Sequence, residues 1–139
     1  MAIVHAGAAS VAGRQGLPVF LGVSAESVGS EHLCAHLVEL PPGGRARAHL
    51  HAAHESAIYG IRGQVITWWG DEHQHHTLSG PGDFLYIPAG MPHLPINRSA
   101  TEPALALVAR TDPKEQESIV LLGHLDALAH LRPDPPPVP

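Results

Sequence analysis

Two segments constrain this chain more than any other feature. The first is Gly43-Gly44-Arg45-Ala46-Arg47-Ala48-His49-Leu50-His51-Ala52-Ala53-His54-Glu55. The second is Gly82-Asp83-Phe84-Leu85-Tyr86-Ile87-Pro88-Ala89-Gly90-Met91-Pro92-His93-Leu94-Pro95-Ile96-Asn97. His49 and His51 are two apart, so on a strand both imidazoles point to one face. Glu55 follows after a gap wide enough for a tight turn into the next strand. His93 comes beyond a Pro-x-Gly turn. Three neutral nitrogens and one carboxylate suit a divalent first-row metal and leave coordination positions open.

The flanking sequence reads as short strands separated by turns. The expected strands are Leu17–Val23, His32–Leu40, Arg45–His51, Ser56–Arg62, Gln64–Trp69, His73–Leu78, Phe84–Ile87, Leu94–Asn97 and Ala104–Thr111. Pro41-Pro42-Gly43-Gly44 is a turn, because it cannot supply a regular ladder of donors. The chain has 14 Gly and 14 Pro and only 15% charged residues, which favours many short strands. Such spacing is the pattern of a sandwich or barrel. In the tail, Ile119, Leu122, Leu125, Leu128 and Leu131 recur every third residue and predict a short helix packed outside the barrel. The expected organisation is an N-terminal segment 1–16, a barrel 17–112, a helical segment 113–131 and a proline-rich tail 132–139.

The segments carry a resemblance. The first is similar to the first cupin motif, Gly-x5-His-x-His-x3-Glu with a later Gly, here Gly63. The second matches the second cupin motif at Gly82, Pro88, Gly90, His93 and Asn97. The resemblance implies an all-β double-stranded β-helix, the cupin or jelly-roll barrel, with a metal in its mouth. It names no reaction, because this fold hosts dioxygenases, isomerases, epimerases, lyases and non-catalytic binders. The first motif departs in one respect. The family places its acid seven positions before the later Gly, and seven before Gly63 is Ser56. Either a bulge re-aims Glu55 inward, or the acid is not a ligand and His54 is its rival.

One metal per chain is therefore expected, Fe, Mn, Ni or Zn, on His49, His51, His93 and Glu55. Glu55, His54 and Tyr86 are the candidate general acids and bases. Tyr86 and Met91, close to the second motif, are candidate pocket walls. Arg47 has the same parity as His49 and His51. An inward guanidinium needs a partner, which can be a substrate carboxylate or phosphate, or a protein acid such as Glu39 or Asp83. His32, Cys34 and His36 share a strand face that can line the barrel or lie outside it.

Composition bounds the rest. The 139 residues make one domain, and 44% hydrophobic content supports a core. A net charge of -5 argues against nucleic acid or an anionic membrane as partner. The 12 histidines imply a large charge change near about pH 6 to 7. A lone Cys34 excludes an internal disulfide framework, and no membrane span or leader is visible. The expectation is a cytoplasmic, small-molecule-binding homodimer, dimerisation being a common habit of similar small cupins. Its activity is expected to be dioxygenase-like, on a small organic acid, diketone or phenol. The alternatives are an isomerase or epimerase of a sugar-like or keto substrate, or a non-catalytic binder of metal or small ligand.

Overall fold

The computed structural model describes residues 1–7, 10–114 and 118–137. Among these, the strands are β1 (Val11–Ala12), β2 (Pro18–Val23), β3 (Cys34–Leu40), β4 (His49–His51), β5 (Ser56–Arg62), β6 (Val65–Trp69), β7 (His75–Ser79), β8 (Phe84–Ile87), β9 (His93–Asn97), β10 (Ala104–Arg110) and β11 (Ile119–Leu121). They form two antiparallel sheets, ordered β1-β2-β3-β10-β5-β8 and β11-β4-β9-β6-β7. The expected all-β barrel is what the chain adopts. A single-turn helix, α1 (Ala25–Val28), also forms, with Ser24 and Ser27 capping its start reciprocally.

Alternation divides each strand between two environments. On β3, Cys34, His36, Val38 and Leu40 are buried and the residues between them are half-buried. Val38 and Leu40 join Leu17, Val19, Ala46, Ala104 and Val108 in the core between the sheets. On β6, Ile66 and Trp68 face the other way and meet Ala48, Leu94, Ile96 and Leu125. That second cluster is closed by the tail.

The tail differs from its helical expectation. Ile119–Leu121 adds a strand beside β4, and among the described residues the helical element after it is a 3-10 turn at Gly123–Leu125. Residues 115–117 of the expected helix lie outside the described residues. The leucine spacing nevertheless reports real burial: Leu122, Leu128 and Leu131 pack on the cluster around Trp68. Pairing along β4 satisfies the backbone of 119–121 and covers the β4 edge, which a helix at this place would have left exposed.

Two turns need glycine. Gly63 sits at φ +78, and a Cβ there would meet the Ala104 backbone at 2.9 Å. Gly90, at φ +75, closes the Pro88–Met91 turn, and its N–H donates to the His51 carbonyl at 2.7 Å. That bond ties the loop carrying His93 to the strand carrying His51.

Candidate metal centre

His49 and His51 lie on β4, and His93 on β9 is paired directly opposite His49. Each of the three offers one nitrogen, and the three nitrogens lie within 4.8 Å of one another. Ring centroids are 4.2 Å apart for His49–His93, 5.2 Å for His49–His51 and 5.8 Å for His51–His93. All three side chains are buried.

The backbone fixes the tautomers of two of them. His49 Nδ1 lies 2.8 Å from the Arg47 carbonyl, and His93 Nδ1 lies 2.8 Å from the Met91 carbonyl. A carbonyl can only accept, so each Nδ1 carries the hydrogen and each Nε2 keeps its lone pair. His51 Nδ1 is held by Ser118 Oγ at 3.2 Å. Orientation of ligating imidazoles through the second nitrogen is what a metal site requires. The donor set therefore fits a divalent transition metal, and His49, His51 and His93 would hold it.

The electrostatics agree. Burial pushes His49 down to about 4, with the nearby Arg110 charge adding to the effect and the Arg47 carbonyl opposing it. His51 is pushed down to about 2 by burial, then by Arg110 and the neighbouring imidazoles. Burial and His49 hold His93 well below the ordinary histidine range. All three are neutral at pH 7, as ligands must be. The broad titration expected of the histidines is accordingly narrowed, since His36 and His73 are lowered too, chiefly by burial.

Glu55 does not join the three imidazoles. It is exposed, and its Oε2 accepts a hydrogen bond from the Tyr86 hydroxyl at 3.1 Å. Its backbone is pinned to Thr111 by bonds in both directions. The register explains the placement. Arg110 pairs with Ser56, Ala109 with Ala57, and so on to Ala106 with Gly60, after which Leu105 pairs with Arg62. The extra residue is thus Ile61, at the far end of β5. A bulge exists, but Ser56 still opens the strand facing inward, buried, and Glu55 precedes it outside. His54 is half-buried beside it.

Arg47 is also placed differently from its parity. Arg45 bridges to Ile96, while His49 pairs with His93. Four steps along the first segment therefore face three along the second. The extra residue reverses the alternation, so Ala46 is inside and Arg45 and Arg47 are exposed. Arg45 instead donates to the Asp126 carbonyl.

The cation that does enter the barrel is Arg110. It is buried, donates from Nε to Ser56 Oγ at 3.0 Å, and its charge contributes to the lowering of His36, His49, His51 and His93. The spacing back from Gly63 pointed to Ser56, but no motif pointed to Arg110. His36 lies on the buried face of β3, two register positions from Arg110, and both of its ring nitrogens lack a hydrogen-bond partner. Asn97, by contrast, donates from Nδ2 to the carbonyls of Leu40, Pro41 and Glu102 and so braces the barrel end.

Two cavities flank the imidazoles. One, about 80 Å³, lies between the sheets and is walled by His49, His93, Ser56 and Arg110 at one end and by Leu40, Ile58 and Val65 among others. The second, about 290 Å³, is walled by Trp69, Thr77, Tyr86, Pro88 and Met91. Thr67, Leu85, Ile87 and His93 line both. Tyr86 and Met91, the expected pocket walls, both line the second cavity.

The sequence model of the family described as "Cupin domain" matches residues 36–110. The chain belongs to the cupin family. No curated protein matches it in sequence. Among solved structures, it is similar to Peruvianin-I, described as a cysteine peptidase from Thevetia peruviana latex, with a TM-score of 0.72 at 21% identity, covering 87% of this chain and 77% of that one. It is similar to the polyketide cyclase RemF from Streptomyces resistomycificus, with a TM-score of 0.68 at 20% identity, covering 88% and 85%. It also resembles an oxalate decarboxylase of Lactobacillus farciminis, with a TM-score of 0.65 at 22% identity, covering 76% of this chain but 31% of that one. At these identities the likeness is one of fold. Among the described residues, no helix is long and apolar enough to cross a membrane.

Proposed function

We propose that this cupin is a metal-dependent enzyme, an oxidoreductase of dioxygenase type, acting on a small organic substrate. The observation that carries the reading is the trio of buried, neutral imidazoles, two of them with Nδ1 committed to a backbone carbonyl. A divalent metal in that trio supplies Lewis-acid polarisation of a substrate oxygen and, where the ion is redox-active, access to dioxygen chemistry. The chain's own residues do the rest. Met91, Trp69 and Tyr86 provide an apolar wall beside His93 for the substrate body. Glu55 holds the Tyr86 hydroxyl and so orients that wall, a positioning role in place of ligation. Among the described residues, Ser56 takes the inward position where the family motif places an acid, so the protein-supplied ligand set is three nitrogens.

The neighbours include a polyketide cyclase and an oxalate decarboxylase, both acting on oxygen-rich small molecules by their names, which supports the substrate class without fixing it. Homodimerisation in the cytoplasm belongs to the same proposal. It is supported by the outward Phe84 on edge strand β8, at 80% exposure. The test of the activity is dioxygen uptake by ferrous-loaded protein against a panel of small acids, diketones and phenols. Uptake that depends on substrate and disappears in His93→Ala supports it. Turnover of a keto or sugar-like substrate without dioxygen use would replace it with the isomerase reading.

A further inference from the structure

Strand β4 carries two of the three imidazoles, and most of what holds it comes from the tail. Towards the barrel, β4 pairs with β9 at one position, His49 with His93, and the His51 carbonyl accepts from the Gly90 N–H. On the other side β11 pairs along its whole length: Ile119 with His51, Val120 with Leu50 and Leu121 with His49. Bonds continue this ladder at both ends. The Ala52 N–H donates to the Ser118 carbonyl at 3.3 Å, and the Leu122 N–H donates to the Ala48 carbonyl at 2.8 Å. Asp126 then closes the contact. Its Oδ1 accepts from the Ala48 N–H at 2.6 Å, and its carbonyl accepts from Arg45. Further on, Leu125 joins the buried cluster of Ala48, Leu94 and Trp68, and Trp68 Nε1 donates to the Arg132 carbonyl at 3.0 Å. Residues 118–132 thus form a clasp laid along the metal strand.

The clasp also reaches a ligand directly. His49 and His93 each present Nδ1 to a backbone carbonyl, which can only accept. His51 Nδ1 instead lies 3.2 Å from Ser118 Oγ, and a hydroxyl can donate or accept. His51 is therefore the imidazole whose tautomer depends on a side chain of the tail. With Ser118 accepting, Nδ1 carries the hydrogen and Nε2 keeps the lone pair that a metal needs. With the clasp undocked, β4 becomes a sheet edge and His51 loses the partner of its second nitrogen. We propose that docking of segment 118–132 and metal binding are linked, with Ser118 and Asp126 as positioning residues of the site. Ser118 orients His51, Asp126 fixes the backbone just before His49, and bound metal fastens the clasp in return. The linkage is reciprocal: the factor by which the docked clasp raises metal affinity is the factor by which metal favours docking. The inference rests on the metal reading above and adds to it the element that controls the site.

The test uses the full chain with zinc as the probe metal, its affinity read by competition with a chromophoric chelator. Ser118→Ala and Asp126→Ala should each weaken zinc binding at least about tenfold, the scale on which partners of a ligand's second nitrogen act. Ser118→Thr keeps a hydroxyl and Asp126→Asn keeps an Oδ1 acceptor, so both should restore most of the lost affinity. Amide hydrogen exchange of the wild-type chain reads the other direction. Zinc should slow exchange at residues 119–122 at least about tenfold more than at β7, the edge strand at the far end of the same sheet. Wild-type affinity in both alanine variants overturns the positioning roles. So does a loss that Ser118→Thr and Asp126→Asn leave unrestored, which is the mark of a general weakening of the fold. Exchange slowed alike at β11 and β7 overturns the linkage. In each of these cases zinc uptake that is lost in His93→Ala leaves the metal reading standing, whereas wild-type protein that takes up no zinc sinks both.

Discussion

The two walls of the barrel mouth make an instructive pair. The wall built by β4 and β9 carries His49, His51 and His93, and the second motif that presents His93 matches its family pattern at every fixed position. Gly82 and Gly90 take positive φ, Asn97 is buried and bonded to three carbonyls, and the Pro88–Gly90 turn is tied to His51. The wall built by β5 and β10 departs from the pattern, with Ser56 and Arg110 inward and Glu55 outward. The first wall is set by backbone geometry, which leaves few alternatives. The second is set by which side chain the strand register turns inward, and one residue of slip exchanges an acid for a hydroxyl.

That contrast can be broken most forcefully on the histidine wall. His93→Ala removes one of three donors and the bond to the Met91 carbonyl, and metal affinity is expected to fall by roughly two orders of magnitude or more. Metal content after gel filtration checks it, and full occupancy in the variant would remove His93 from the site. The same wall predicts a pH response. Folded His36 and His49 protonate near about 4, whereas unfolded histidine does so near about 6.5. The unfolded chain therefore binds more protons throughout that window, and stability of the metal-free protein falls as pH drops from about 6.5 to about 4. The loss is on the order of a few kcal/mol per histidine. Urea midpoints at pH 7 and pH 4.5 measure it, and coincident midpoints would contradict the buried neutral state.

Smaller effects sharpen the comparison. Asn97→Ala removes the bonds from its amide to the carbonyls of Leu40, Pro41 and Glu102, of which Pro41 keeps the Gly44 N–H, and should cost roughly 1 to 3 kcal/mol in thermal or chemical unfolding. A cost under about 0.5 kcal/mol would mean water replaces the amide without loss. Smallest of all is Glu55→Ala. With its carboxylate outside and engaged only by Tyr86 among the described hydrogen bonds, metal content should be unchanged and stability should shift by less than about 1 kcal/mol. A variant stripped of metal would return Glu55 to the ligand set.

How much of this was legible in the sequence follows the same division. Most strands of the barrel, the three imidazoles and the Pro88–Gly90 turn were readable because period-two burial and glycine conformations are local properties. Arg47 was not, because a single extra residue between Arg45 and His49 reverses the parity, and a bulge leaves no compositional mark. Nor was Arg110, which carries no motif and meets Ser56 across 54 positions of chain. The tail shows a third case. Its leucine spacing marked the buried side of Leu122, Leu125 and Leu128, but spacing of three does not by itself separate a helix from a strand and turns draped on an apolar face.

The central claim is that three imidazoles, and no carboxylate of Glu55, form the metal site. Anomalous diffraction from crystals of the metal-loaded protein tests it directly. The account predicts one metal per chain, roughly 2.0 to 2.2 Å from a nitrogen of each of His49, His51 and His93, with Glu55 still bonded to Tyr86. A metal bound by Glu55, or one located away from these three residues, would contradict it.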